Sequence, residues 1–263
     1  MLELPHVLLV NDDGIHAPGI KTLYNGLKDI ARLSVVAPET EQSARSQAIT
    51  LFSPLSFYSY EEKNDIEGTA VKGTPVDCVK VALKVILKND LPDLIISGIN
   101  EGSNTGVNVL YSGTVGAAIE GAMHGITSIA ISVAGKTNID FQPALSVAKK
   151  CVHAFVRGTL EDSKLLNINI PNVQKKDIKG WKTTYQAISL WNDDFVKQIS
   201  PQQKAYYWMS GKKFSLDKST DSDEGAILEN YISITPLQYN MTDTQSLKLM
   251  KNKAIFDSEL IEN

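Results

Sequence analysis

The feature that most constrains the fold is an alternation of short apolar runs with amphipathic helical stretches over the first two thirds of the chain. In GIKTLYNGLKDI the apolar residues Ile20, Leu23, Leu27 and Ile30 fall on one helical face. Apolar β-branched strands between helices indicate a parallel sheet covered on both faces. Five runs predict its strands: HVLLV (6–10), LSVVA (33–37), DLIIS (93–97), SIAISV (128–133) and LLNINI (165–170).

From about residue 171 the pattern changes. Residues 172–230 are more polar and aromatic, which favours a hairpin-rich appendage over a second α/β unit. A strand is predicted within 231–236 and a short helix over 244–252. We therefore expect one domain over 1–263, with a core of about 1–171 plus the strand 231–236, the appendage, and a C-terminal arm of about 237–263.

Charge and cysteine content narrow the class of protein. A net charge of −4 argues against a nucleic-acid polymer or an anionic membrane as the main partner. No apolar run approaches the length of a membrane span or a signal peptide. The two cysteines, Cys78 and Cys151, sit in apolar helical contexts and are expected to be buried free thiols, which suits the cytoplasm.

Three loops that follow predicted strands carry oxygen-bearing side chains. In a parallel sheet these loops meet at the edge where ligands bind. Adjacent carboxylates repel each other unless a cation lies between them, and carboxylate, amide and hydroxyl oxygens suit Mg²⁺ or Mn²⁺. We therefore favour a metal site over a simple helix cap, which Asp13 alone could provide. The loops contain Asn11, Asp12 and Asp13; Ser43, Arg45 and Ser46; and Asn100, Asn104, Asn108, Ser112 and Thr114.

The stretch YSGTVGAAIEGAMHG predicts a helix that begins at a possible anion site. Ser112 can cap it, Gly113 and Gly116 permit close approach, and the free N–H groups of its first turn favour phosphate. The alternative is an ordinary capped helix packed through small residues. GTPVDC leaves a similar choice, because Thr74 and Asp77 either start a helix or support the site from a neighbouring loop.

Several sequence blocks together resemble one known family. VNDDGIHAPGI, APETEQSARSQAIT, VKGTPVDCV, the long block from PDLIISGINEGSNTG to GITSIAIS, and YISITPL resemble the SurE family of survival proteins, metal-dependent 5′-nucleotidases. The blocks cover most of 5–135, with a further match near 231–237. The chain departs from the family at ARSQ, where members tend to carry a small or glycine-containing stretch, and Arg45 could change phosphate contacts.

The resemblance implies a Rossmann-like, three-layer α/β core with a mostly parallel sheet, plus a β-hairpin and C-terminal arm that form homodimers or homotetramers. It implies one divalent metal ion per subunit, Mg or Mn, held by Asp12, Asp13, Ser43 and Asn100. The expected reaction is hydrolysis of nucleoside monophosphates by a metal-activated water, with Asp12 and Asp13 as catalytic residues. The expected phosphate-binding residues are Asn104, Asn108, Ser112, Gly113 and Thr114.

The alternative of a different class is a non-catalytic nucleotide- or phosphate-binding regulatory module with a receiver-like acidic Mg site. Such a module needs an aspartate at the end of its third strand, where this chain has Asn100. The sequence leaves open the preferred base, 5′ against 3′ phosphate, activity on short polyphosphate, Mg against Mn, and which aspartate acts as the base.

Overall fold

The computed structural model describes residues 4–63, 65–135, 137–160 and 163–252. Within them a nine-stranded sheet runs in the order β3-β4-β2-β1-β5-β6-β7-β11-β8. The strands are β1 His6–Val10, β2 Arg32–Pro38, β3 Phe57–Glu61, β4 Glu67–Val71, β5 Leu94–Glu101, β6 Thr127–Ala134, β7 Leu165–Pro171, β8 Trp181–Thr183 and β11 Ile232–Pro236. Five neighbouring strands, β2, β1, β5, β6 and β7, are joined by parallel ladders, so the prediction of a mostly parallel sheet is confirmed.

Helices cover both faces of the sheet and give the predicted three layers. The α-helices of the described residues are α1 Pro18–Leu27, α2 Pro75–Val81, α3 Asn108–Tyr111, α4 Gly113–Met123, α5 Gln142–Val156, α6 Asp223–Leu228 and α7 Thr244–Asn252. The helix α2 continues into a π-helical turn over Ala82–Ile86. Ile20, Leu23 and Leu27 of α1 are fully buried in the largest core cluster, as their spacing predicts.

The second half of the chain contains two elements that its pattern did not indicate. β8 has three residues and extends the main sheet beside β11, and α6 precedes β11. The predicted hairpin is confirmed as a separate antiparallel ribbon of β9, Ser189–Ile199, and β10, Ala205–Ser215. The segment predicted as an appendage thus contains both a separate two-stranded sheet and a strand of the main sheet.

The remaining expectations about the chain as a whole are met in part. α7 confirms the predicted C-terminal helix, while 253–263 of the expected arm lie outside the described residues. Cys78 and Cys151 are buried free thiols, and burial raises the pKa of Cys151 to about 12. In the described part of the chain no helix combines the length and apolar character needed to cross a membrane.

One glycine brings α1 against the strand that leads to the candidate site. A Cβ at Gly19 would lie 2.0 Å from the carbonyl oxygen of Ile99 in β5. Because that obstacle is backbone in a buried strand, it cannot move aside as a side chain could. Gly26, one residue before the end of the same helix, offers a contrast, since a Cβ there would meet the side chain of Leu145 at 2.3 Å.

We expect Gly19→Ala to lower the free energy of unfolding by about 2–4 kcal/mol, because it forces α1 away from β5. Gly26→Ala is the matched control and should cost about 1 kcal/mol or less, since Leu145 can change rotamer and alanine favours a helix. Urea denaturation followed by circular dichroism measures both. Equal losses in the two variants would contradict the close contact at Ile99.

Candidate active site

The acidic pair lies at the carboxyl end of β1, in the middle of the sheet. Asn11, Asp12 and Asp13 follow the fully buried strand residue Val10, and Asp12 is itself only 4% exposed. The Asn11 Nδ2 donates to the Gly14 carbonyl at 2.8 Å, and Gly14 has a positive φ of 97°. This tight turn holds the two carboxylates at the edge of the sheet and then leads into α1.

Asp12 is held by the first turn of α4. The Thr114 hydroxyl, fully buried, donates to Asp12 Oδ1 at 2.5 Å. A Cβ at Gly113 would lie 2.8 Å from the Asp12 Cβ, so only glycine fits there. The N-terminal end of α4 therefore directly contacts the carboxylate, where its free N–H groups favour negative charge.

The surroundings of the pair disfavour its ionised, negatively charged form. Burial raises the pKa of Asp12 above its ordinary value, against the hydrogen bond from Thr114. Burial and then the charge of Asp12 raise the pKa of Asp13 to about 7, and Glu101 and Glu41 add to the repulsion. A cation between these groups would relieve the repulsion and return both carboxylates to their ionised forms.

Unpartnered oxygen atoms at the turn fit such a cation. Asp13 Oδ2 and Asn11 Oδ1 are both buried and accept no hydrogen bond. Buried polar atoms are normally satisfied, so these two oxygens are open to a water or a cation. Among the described residues no group of three or more His, Cys, Asp or Glu is arranged around one metal position. A site here therefore depends on amide, hydroxyl and water oxygens beside the two aspartates, as Mg²⁺ accepts.

Ser43 lies on an exposed loop that is fastened to the acidic turn. The Gln42 N–H donates to the Asp12 carbonyl at 2.7 Å, and the Ser43 hydroxyl donates to Glu41 Oε1 at 2.7 Å. Further along, Thr74 donates to the Ala48 carbonyl, and Asp77 accepts from both polar groups of Thr50. Thr74 and Asp77 also form a capping box at α2, which confirms that GTPVDC starts a helix, and the same two residues bond to the loop that follows Ser43.

Arg45 lies between two strained residues of the same loop. Ala44 and Ser46 have φ values of 58° and 53°, a conformation that costs non-glycine residues about 1–2 kcal/mol each. Ser46 is fixed by its N–H and hydroxyl, which donate to the carbonyls of Tyr111 and Leu110 at 3.0 and 2.6 Å. Arg45 itself is exposed, on a loop segment that packs against the first turns of α4.

Asn100 lies near the end of β5, next to β1 in the sheet. It is 8% exposed, and its Nδ2 donates to the Gly102 carbonyl at 2.7 Å. The ladder between β5 and β6 shifts register between Gly98 and Asn100. This irregularity turns the strand end where the loop 102–112 begins, so the amide side chain is fixed by its own following backbone.

The predicted phosphate-binding residues have different surroundings. Asn104 is buried, and its Nδ2 donates to Ser132 Oγ at 2.9 Å. Asn108 accepts from the Trp191 indole N–H at 3.0 Å. Ser112 caps α4 as expected, accepting from the Val115 N–H at 3.1 Å. Of the set, Ser112, Gly113 and Thr114 lie at the helix start beside Asp12, whereas Asn104 belongs to a buried network under the loop.

Two acidic residues and one contact were not identified from the sequence. Glu41 and Glu101 act on Asp13, and each stands two residues or fewer from a residue that had been singled out. Thr114 was assigned to phosphate, whereas its hydroxyl is committed to Asp12 across 102 residues of sequence. Proximity to Ser43 and Asn100 could have indicated the glutamates, but no local signal indicates the threonine contact.

The raised pKa of Asp13 predicts a pH-dependent effect on stability. In the cation-free protein the folded state holds the Asp13 proton up to about pH 7, whereas the unfolded state loses it at the ordinary value. This group therefore lowers stability as pH rises between those two values. We expect Asp13→Asn, in EDTA, to raise the free energy of unfolding at about pH 8 by roughly 1–3 kcal/mol more than at about pH 4.

Urea denaturation of the variant and the parent at both pH values measures this difference. Addition of Mn²⁺ should raise the melting temperature of the parent protein more than that of the variant, since a cation bound only to the folded state stabilises it. A pH-independent effect of the substitution would contradict the repulsion within the pair.

Comparison with known proteins identifies the family of this chain. The family model described as survival protein SurE matches residues 7–193. A protein named 5′-nucleotidase SurE from Chlorobium phaeobacteroides is 43% identical over 242 residues, which are 92% of this chain and 93% of that protein. One of the same name from Flavobacterium psychrophilum is 41% identical, covering 95% and 98%.

A solved structure shares the fold as well. The crystal structure of the SurE protein from Aquifex aeolicus superposes with a TM-score of 0.78 at 39% identity, covering 95% of this chain and 99% of that one. The family implies a divalent metal cofactor, which the buried acidic turn fits. The chain belongs to the SurE family.

Proposed function

We propose that this protein is a metal-dependent phosphatase that hydrolyses nucleoside monophosphates to nucleoside and phosphate, as a 5′-nucleotidase. The observation that carries the proposal is the adjacent pair of buried Asp12 and half-buried Asp13, with Asp12 in contact with the N-terminal end of α4. An acidic pair that needs a cation, beside a helix end that favours an anion, suits a phosphate bridged to a metal. The names of the relatives support the same activity.

We assign one divalent ion per subunit, Mg or Mn, to Asp12, Asp13, Ser43 and Asn100. When bound, the ion supplies charge stabilisation to the phosphate and lowers the pKa of a water. Asp12 is fixed for this task by Thr114, and Asp13 offers its unpartnered Oδ2. The Ser43 hydroxyl would turn from Glu41 toward the ion, and the Asn100 carbonyl oxygen is left for it because Nδ2 is already held by Gly102.

We assign the phosphate of the substrate to the first turn of α4. Backbone N–H groups of Gly113 and Thr114 and the Ser112 hydroxyl would bind its oxygens. Asn108, at the start of α3, and Asn104, buried under the preceding loop, are assigned to the same phosphate site. The water oxygen bonds to phosphorus as the bond to the nucleoside oxygen breaks. An aspartate of the pair accepts the proton of the water, and the nucleoside oxygen takes up a proton from solvent and leaves as the alcohol. Fixed donors at the developing negative charge stabilise the transition state.

The regulatory alternative gains no support from the relatives, whose names describe an enzyme. The buried free thiols suit a reducing compartment, so we place the protein in the cytoplasm. A nucleoside monophosphate is the proposed partner; no polymer of nucleotides or membrane is required.

We expect Asp12→Asn to lower kcat/KM for a nucleoside monophosphate roughly 100-fold or more with Mn²⁺ present, because the ion loses a charged ligand. The amide oxygen can still accept from Thr114, so the fold should remain intact by circular dichroism. Phosphate release measures the activity, with and without the metal. Asp29→Asn, at an exposed acidic residue outside the site, is the matched control and should behave as the parent. Near parental turnover in Asp12→Asn at saturating metal would refute the assignment.

We further propose that the ribbon of β9 and β10, with the C-terminal arm, assembles the protein into a homodimer or homotetramer. A lone two-stranded ribbon is marginally stable, and a large exposed apolar surface marks an interface. Large apolar side chains are exposed along the ribbon: Leu190, Trp191, Phe195, Val196, Ile199, Tyr206, Tyr207, Trp208, Met209 and Phe214. Leu247, Leu249 and Met250 of α7 are exposed as well.

The double substitution Phe195→Glu with Met209→Lys should lower the mass measured by light scattering. The two positions face each other across the ribbon, so the new charges are paired and the strands can remain joined. What the variant removes is apolar surface for a second copy. An unchanged mass at equal concentration would contradict assembly through the ribbon.

A further inference from the structure

The base of the ribbon is hydrogen-bonded to the loop 102–112 that precedes α4, and the proposed function does not yet account for this contact. Four consecutive loop residues, Thr105 to Asn108, bond to residues that lie 80 or more positions later in the chain. These partners come from the ribbon and from the segments on either side of it. They are Gln186, Ser189, Trp191, Lys213 and Asp223.

Gly106 is the centre of this contact. Its N–H donates to Asp223 Oδ2 at 2.9 Å, and its carbonyl accepts from Gln186 Nε2 at 2.9 Å. A Cβ at Gly106 would lie 2.2 Å from the Ser189 Oγ and 2.5 Å from Glu224 Oε1, and its φ is 55°. A residue with a side chain would therefore not fit at this position, and the loop backbone lies directly against the base of the ribbon.

The residues that bond to the loop are themselves held in place by buried charged side chains. Asp223 is fully buried, and its Oδ1 accepts from the N–H groups of Ala187 and Glu224 at 2.9 and 2.8 Å. Glu224 pairs with Lys213 at 2.7 Å. The Lys213 Nζ also donates to the carbonyl and hydroxyl oxygens of Thr105 at 3.1 and 3.2 Å. Lys213 therefore joins the acidic helix start of α6 to the loop.

The same loop leads without interruption into the proposed phosphate site. Trp191 donates to Asn108 Oδ1, and Asn108 begins α3, which ends one residue before Ser112. The carbonyls of α3 at Leu110 and Tyr111 accept from Ser46, which fixes the loop that carries Ser43. A displacement at 105–108 would therefore reach both the helix cap and the metal-side loop through bonded neighbours.

From these contacts we infer that Lys213 and Trp191 are positioning residues of the active site: the base of the ribbon holds the loop 105–108, and through α3 the phosphate-binding residues, in register with the acidic pair. The inference rests on the proposed phosphatase function. It assigns to the ribbon a role inside each subunit, separate from any role in assembly. Neither residue touches the reacting atoms; each acts through the loop.

Two substitutions with matched controls test this. Trp191→Phe removes the indole N–H while keeping an aromatic ring, and Lys213→Met removes the charge while keeping the length of the side chain. Trp181→Phe, in β8, and Lys212→Met, on the ribbon, alter the same residue types at exposed positions. Kinetics on a nucleoside monophosphate with Mn²⁺, light scattering, and deuterium exchange of the 102–112 peptide are measured on the full chain.

We expect KM to rise roughly fivefold in Trp191→Phe, and kcat/KM to fall roughly tenfold or more in Lys213→Met, as the loss of one neutral and of several charge-assisted hydrogen bonds implies. Exchange of the loop amides should become faster in both, with the assembled mass unchanged. The two controls should match the parent. If Lys213→Met does not fold, Trp191→Phe alone decides.

Faster loop exchange with kinetics within twofold of the controls would overturn the inference, because the loop would then move without consequence. Loss of activity with unchanged exchange would overturn it too, as would a fall in kcat at constant KM that only tracks the folded fraction. Failure of the proposed function is a different result, since the parent protein would then release no phosphate.

Discussion

Repulsion between the adjacent carboxylates of Asp12 and Asp13 is the interaction around which the rest of this edge of the sheet is arranged. Burial strengthens the repulsion, because little water remains to screen it. The Thr114 hydroxyl and the positive end of α4 stabilise the Asp12 carboxylate, whereas Asp13 Oδ2 has no hydrogen-bond partner. A divalent ion bound at the pair, as proposed, would relieve that imbalance.

The groups proposed to bind the ion and the phosphate lie on segments far apart in sequence, so their relative positions depend on contacts between these segments. The turn after β1 is joined to the Ser43 loop through the Asp12 carbonyl, and that loop to α3 through Ser46. The loop before α3 is in turn held from the ribbon by Lys213 and Asp223. Each fastening is a hydrogen bond or an ion pair to a backbone or buried group, which resists displacement.

Local patterns were enough to predict the central layers of the fold. The spacing of Ile20, Leu23 and Leu27 is a property of one helix, and burial of that face confirms it. The acidic pair was visible because it directly follows a strand. The contact of Thr114 with Asp12 and the bond from Gly106 to Asp223 span 102 and 117 residues, so no local pattern encodes them. β8, with three residues, is too short for any periodicity to register.

The glycines at the start of α4 have a consequence for how such a site can change. At Gly113 and Gly116 a Cβ would meet Asp12 and the Ser46 carbonyl at 2.8 and 2.4 Å, so this wall of the site is main chain. Substitution cannot reshape a surface made of backbone. The exposed loop that carries Arg45 packs against this helix start through Ser46, so the side chains that can vary beside it lie on that loop. A change of side chain beside the start of α4 is therefore confined to the loop, while the helix itself stays the same.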